Sequence, residues 1–146
     1  MPRLLIVGYG NLLRGDDAVG RHTAERLRAL VEAPDVQVLS LPQLTPELME
    51  TLSHVERAIF IDATDDGEPG QIRWRKIEPN AAGLRNLTHY LTPEALLAGA
   101  RLLYGRAPEA AIVTVAGQDF ALGKPMSQPV SEALEALVIS HLSWPF

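Results

Sequence analysis

Short runs of branched apolar residues alternate with helix-patterned segments along this chain, and that alternation constrains its fold more than any other feature. Arg3-Leu-Leu-Ile-Val-Gly8 is apolar and closed by glycine, the pattern of a strand buried on both faces. A helical pattern follows the loop Tyr9 to Asp16. Val19, Thr23, Leu27 and Leu30–Val31 fall on one face, Arg21, Glu25, Arg28 and Glu32 fall elsewhere, and Pro34 stops the helix. Val36–Leu41 reads as a second strand. Thr45-Pro46-Glu47 starts a helix running to about His54, with a hydroxyl at the N-cap, proline at the first helical position and an acid in the first turn. Ala58–Ile61 is a third strand ending in Asp62, and Gln71–Ile77 alternates like a strand with one wet face. The link from Asp62 to Gly70 is too short for a crossover helix, so the fourth strand runs antiparallel to the third at a sheet edge. After the irregular stretch Glu78 to Tyr90, Thr92-Pro93-Glu94 opens a helix that continues through Leu96, Leu97, Ala100 and Leu103–Tyr104 to Gly105. Ala110–Val115 is a fifth strand. Ser131 to Leu142 is a closing helix with Leu134, Leu137, Val138 and His141 on one side.

This order predicts an α/β fold: a three-layer, doubly wound sheet of about five strands, mostly parallel with one antiparallel edge strand. A length of 146 residues suits a single domain over 1–146. Apolar residues make up 47% and charged residues 21%, an ordinary globular balance. Cysteine is absent, which excludes disulfides, thiolate metal sites and cysteine nucleophiles. A net charge of −5 disfavours a nucleic-acid partner, whose phosphates would be repelled. The opening apolar run is too short for a membrane span, and Met1-Pro2-Arg3 does not read as a secretory leader. The expectation is a cytoplasmic protein with neither a membrane nor a nucleic-acid partner.

Ligands of an open, mostly parallel sheet bind beyond the carboxyl ends of its strands, where the strand order reverses. The loop carrying Asp16 and Asp17 lies on that edge, as does Asp62. Residues 78 to 88 can span roughly 35 Å when extended, enough to recross the domain from the end of the fourth strand. The helix from Thr92 must then descend so that the fifth strand runs parallel to the third, which puts His89 on the carboxyl edge too. Two carboxylates and an imidazole suit a divalent metal. Each residue also has a plainer role. Asp16 or Asp17 could cap the first helix, although one helix start needs only one cap. Asp62 could accept loop amides, and a lone loop histidine is more often a surface or packing residue. His22, His54 and His141 fall within helical patterns, and Asp65, Asp66 and Asp119 are turn acids.

The glycines of Gly8-Tyr-Gly10-Asn11 match a dinucleotide fingerprint poorly. Leu13 stands where a third glycine belongs, and Leu39-Ser40-Leu41 carries no terminal acid. They suit a tight turn whose backbone approaches another group closely. Neither a phosphate-cradling Gly-Lys-Ser/Thr loop nor a Gly-x-Ser-x-Gly nucleophile elbow occurs.

Leu5-Ile-Val-Gly-Tyr-Gly-Asn-Leu-Leu-Arg-Gly-Asp-Asp-Ala-Val-Gly20 resembles the opening signature of the hydrogenase maturation proteases. These endopeptidases trim the C-terminal extension from the large subunit of [NiFe] hydrogenases. The similarity continues through Gln43-Leu-Thr-Pro-Glu-Leu48, Phe60-Ile-Asp-Ala63 and Thr88-His89 into the last helix. The resemblance implies a phosphorylase/hydrolase-like arrangement of the α/β sheet. It implies an aspartic-type, nickel-dependent endopeptidase whose catalytic and metal-contacting residues are Asp17, Asp62 and His89. Its partner would be a [NiFe] hydrogenase large-subunit precursor, which itself supplies the nickel, and no organic cofactor is implied. Some members carry glutamate where Asp17 stands, so the side chain here is about 1.5 Å shorter, and either the loop sits closer to the metal or Asp16 assists. Pro46 stands where many relatives are glycine-rich.

Two other classes share parts of this pattern. A catalytically silent, metal-sensing module for hydrogenase precursors would use the same three residues. A receiver-type phosphoacceptor domain also pairs acids after the first strand with an aspartate ending the third. Here, however, Asp16 and Asp17 lie well past Gly8, and Lys124 is far from the fifth strand's end. Stable aspartyl phosphate on Asp62 after acetyl phosphate treatment would mark the receiver.

Overall fold

Five strands form one sheet: β1 (Leu4–Tyr9), β2 (Val36–Leu41), β3 (Arg57–Thr64), β4 (Ile72–Ile77) and β5 (Glu109–Ala116), in the spatial order β2-β1-β3-β5-β4. The computed structural model describes residues 2–86 and 91–146. β1 is parallel to β2 and β3, and β3 is parallel to β5. β4 runs antiparallel to β5 at the sheet edge. The chain leaves β1 toward β2 and then returns across it to β3. The winding direction therefore reverses between β1 and β3, and their carboxyl ends frame the switch-point crevice where such folds bind ligands.

Helices α1 (Val19–Leu30) and α4 (Gln128–Ser140) cover one face, and α2 (Leu48–Leu52) and α3 (Pro93–Tyr104) cover the other. The central strands are apolar on both sides because both faces are covered. On β3, Ala58 and Phe60 pack with Leu52, Leu96 and Leu97, while Ile59 and Ile61 pack with Val19, Leu27 and Leu134. Asp62 is the next residue in the Ala58–Phe60 series, so it faces the α2–α3 side just beyond the core. Among the described residues, no helix is long and apolar enough to cross a membrane.

α3 begins and ends as its sequence indicates. The Thr92 hydroxyl accepts from Ala95 N–H at 3.1 Å, Pro93 opens the helix, and Gly105 closes it in the left-handed conformation at φ 84°. Other boundaries differ from the sequence expectation. α1 stops at Leu30, which is 54% exposed rather than part of the core face, and Val31 is already extended. The α2 start moves from Thr45 to Leu48, because Pro46 and Glu47 form a turn in which Leu48 N–H bonds Thr45 O. That helix ends at Leu52, before His54. α4 starts at Gln128 rather than Ser131, with Ser127 as its N-cap residue. His141 is exposed in a left-handed C-cap at φ 53°, off the apolar face assigned to it. Two stretches read as irregular contain 3₁₀ turns, at Gly15–Ala18 and Ala81–Asn86. β5 lies between β3 and β4, so the antiparallel strand is hydrogen-bonded to β5 and not to β3.

Candidate active site at the β1–β3 switch point

Two glycines bring the first acid toward the second. Gly20, in the first turn of α1, lies against the backbone of β1 and β3. A Cβ there would run into Ile61 O and stand 2.7 Å from Tyr9 O. The start of α1 is thereby seated on the strand ends, with Asp17 three residues before Gly20 and Asp62 directly after Ile61. Gly10 adopts φ 147°, and a Cβ on it would strike the Asp17 carbonyl. The loop leaving β1 therefore folds back onto Asp17.

Asp17 closes that loop with its side chain: Asn11 N–H donates to Asp17 Oδ2 at 2.7 Å, and Asp17 N–H donates to Arg14 O at 3.0 Å. Asp62 pairs in register with Thr114 of β5, and its Oδ1 accepts from Ala63 N–H at 2.8 Å. Burial pushes the Asp62 carboxyl up to about 6. The Tyr9 hydroxyl and the Ala63 amide, both hydrogen-bonded to it, act in the opposite direction, and the negative charge of Asp17 raises it further. That last effect records the proximity of the two carboxylates. A carboxylate titrating near 6 is ionised at neutral pH yet binds a proton more readily than a solvated one, as suits a general base.

Asp16 has a different task. It is fully buried, and its carboxylate accepts four hydrogen bonds from the far end of the chain. Gln118 N–H and Asp119 N–H reach Oδ2 at 2.7 and 3.0 Å, Ser127 N–H reaches Oδ1 at 2.7 Å, and Ser127 Oγ reaches Oδ2 at 2.9 Å. Burial alone would raise its pKa, but these donors together outweigh it and hold the carboxyl below its ordinary value. Neither acid of the pair makes a side-chain cap to the 3₁₀ turn or to α1. One acid faces Asp62, and the other fastens the loop.

The structure thus brings Asp17 and Asp62 together and separates Asp16 from them in role. His89 lies outside the described residues. Among the described residues, no group of three metal-ligating side chains forms. Two carboxylates supply the hard oxygen donors that a divalent ion accepts and leave further positions to other ligands. Two residues with a part in this geometry carried no sequence signal. Tyr9 sits one step past the apolar run that marks β1, and only the β1–β3 pairing shows that it meets Asp62. Ser127 is far from Asp16 in the chain and resembles any helix cap.

No protein-family model matches the chain. It is 28% identical over 139 residues to the hydrogenase expression/formation protein HupD of Bradyrhizobium diazoefficiens, covering 90% of this chain and 72% of that protein. It is 27% identical over 143 residues to a protein of Methanocaldococcus jannaschii named as a hydrogenase maturation protease, covering 92% of this chain and 91% of the other. The crystal structure of the [NiFe] hydrogenase maturation protease HycI from Thermococcus kodakarensis superposes with a TM-score of 0.75 at 27% identity. That match covers 94% of this chain and 88% of HycI. The chain is similar in sequence and fold to the hydrogenase maturation proteases. It shares their five-stranded, mostly parallel sheet with one antiparallel strand and helices on both sides. The stretch Gly8-x-Gly10-Asn11…Asp16-Asp17…Gly20 of this chain thereby acquires a physical content. Its glycines seat the loop and the helix start against the backbone, and its two acids divide into an inward clamp and a site carboxylate.

Proposed function

We propose that this chain is an endopeptidase that removes the C-terminal extension of a [NiFe] hydrogenase large-subunit precursor after nickel insertion, recognising the precursor's own nickel. The observation that carries this reading is the convergence of Asp17 and Asp62 at the switch point of a chain whose relatives are named for hydrogenase maturation. Asp17, Asp62 and His89 are the residues that would contact the nickel, which arrives as part of the substrate. Nickel in that position is a Lewis-acidic centre. Asp62 takes a proton from the attacking water, whose oxygen bonds to the scissile carbonyl carbon. The C–N bond then breaks, and the proton passes to the leaving amine. Tyr9 holds the Asp62 carboxylate during this transfer. The sequence offers no serine, threonine or cysteine arrangement for an acyl-enzyme, so water attacks directly. The proposed compartment of the reaction is the cytoplasm.

The test is to mix the chain with a nickel-loaded large-subunit precursor and follow the precursor's mass. Loss of a short C-terminal peptide, only when nickel is present, is the expected result. Asp62→Asn and His89→Gln should each abolish it without lowering the melting temperature. Normal cutting by both variants would overturn the assigned roles. A stable complex with no single-turnover cleavage would make the chain a metal-sensing binding module instead.

A further inference from the structure

Residues 10–17 and 117–127 are fastened to each other as one double loop beside the Asp17–Asp62 pair. Asp16 N–H donates to Asp119 O at 2.9 Å, and Asp119 N–H donates back to Asp16 Oδ2 at 3.0 Å. At the tip, Gly123 N–H donates to Leu13 O at 2.7 Å, which sets Leu122 beside Leu13. The double loop is rigidly held, yet its tip is apolar and open. Leu12, Leu13 and Leu122 are 39%, 66% and 65% exposed. Single exposed leucines are common, but here three are carried on one tip held together by hydrogen bonds. A tip already ordered by hydrogen bonds presents them without a further ordering cost on binding.

Charge narrows the occupant. Arg14 follows Leu13, and Lys124 Cβ stands 3.6 Å from the Cβ position of Gly15. Neither cation takes part in an ion pair among the described residues. The neighbouring Asp119 carboxylate accepts from Ala121 N–H at 2.9 Å within its own turn. Two exposed cations without an ion-pair partner, side by side on a chain of net charge −5, favour an acidic peptide at this tip. The tip belongs to the same loop as the site, because Asp17 closes the loop that carries Leu12, Leu13 and Arg14.

We propose that this double loop is the docking surface for the substrate polypeptide, taking an apolar stretch that carries an acidic group next to the bond to be cut. The inference rests on the protease reading above and adds the surface and the chemistry of the segment it receives. Leu13→Ser and Leu122→Ser change exposed side chains and leave the clamp intact. Each should raise KM for the nickel-loaded precursor about tenfold with kcat unchanged. Arg14→Ala combined with Lys124→Ala should raise KM less and flatten its dependence on salt. Leu103→Ser, 66% exposed near the end of α3, is the control and should change nothing.

Unchanged KM in both loop variants would overturn the proposal, as would an equal effect of Leu103→Ser. Light scattering that finds a wild-type dimer dissociated by Leu13→Ser would also overturn it, because the tip would then join two copies. If the wild-type chain does not cut, equilibrium binding of the same precursor to wild type and to Leu13→Ser reads the docking alone. Binding weakened about tenfold by Leu13→Ser would keep the surface while the protease reading fails. Equal binding, or none, would end both.

Discussion

Asp16 and Ser127 stand 111 residues apart and are joined twice: the Ser127 amide donates to Asp16 Oδ1 at 2.7 Å, and the Ser127 hydroxyl donates to Oδ2 at 2.9 Å. Ser127 is the N-cap residue of α4, yet its hydroxyl caps no amide of its own helix. It is committed to Asp16 instead, so the start of α4 and the β1–α1 loop are positioned by one carboxylate. Asp16→Ala leaves three amide donors and a hydroxyl without their acceptor in a buried place, which should cost about 3 kcal/mol. Ser127→Ala removes one bond to a charged acceptor and should cost about 1.5 kcal/mol. In the double variant the hydroxyl is already lost, so the costs should fall short of additive by about 1 kcal/mol. Urea unfolding of the four proteins measures this directly, and strict additivity would show that the pair is not coupled.

The strands were legible because both faces of the central sheet are covered. A strand buried on two sides must be apolar throughout, and Leu4–Val7, Ala58–Ile61 and Ala110–Val115 announce that without coordinates. The meeting of Asp17 with Asp62 was also legible, since winding alone sends both to one edge. The division of labour between Asp16 and Asp17 was not. Nothing local distinguishes two adjacent acids, and the donors that bury Asp16 lie at Gln118, Asp119 and Ser127, more than a hundred residues away. The role of Tyr9 has no local signature for a related reason: its partner Asp62 belongs to the neighbouring strand. Helix ends moved where proline-adjacent turns such as Thr45–Glu47 imitate a helix start.

Stability should fall between about pH 4 and pH 6. The folded-state pKa of Asp62 is raised from 3.8 to about 6, so in this window the folded chain holds a proton that the unfolded chain has lost. The favourable contribution is complete below about 4 and is lost as the pH rises through 6, up to about 3 kcal/mol in total. Asp16 works in the opposite sense. Its pKa is lowered, so its stabilisation is present above the ordinary value and disappears as acid is added. The two windows therefore do not overlap. Asp62→Asn should flatten the curve from pH 4 to 6 and leave the acid limb, and thermal melts across that range would detect it.

Tyr9→Phe should move the pH profile of cleavage. The Tyr9 hydroxyl hydrogen-bonds the Asp62 carboxylate and lowers its pKa against the larger effect of burial. Removing the hydroxyl should raise the pKa, so the acid limb of kcat/KM shifts to higher pH while the alkaline plateau stays near the wild-type value. A simple packing role would lower activity at every pH and leave the limb in place.

Gly10→Ala should separate Asp17 from Asp62 without touching either. Gly10 has φ 147°, a conformation that alanine adopts only under strain, and its Cβ would meet the Asp17 carbonyl. The backbone strain costs about 2 kcal/mol, and the cheapest relief is to push the Asp17 segment away from the β1 end. The Asp17 charge is one of the effects that raise the Asp62 pKa, although burial is the larger. With Asp17 displaced, the stability loss between pH 4 and 6 should become shallower but should not vanish. Asp17→Asn should reproduce that shallower slope without the strain cost, because it removes the charge and keeps the backbone. If Gly10→Ala destabilises the chain while its pH 4–6 slope remains that of the wild type, the loop relaxes elsewhere, and Gly10 does not set the distance between the two carboxylates.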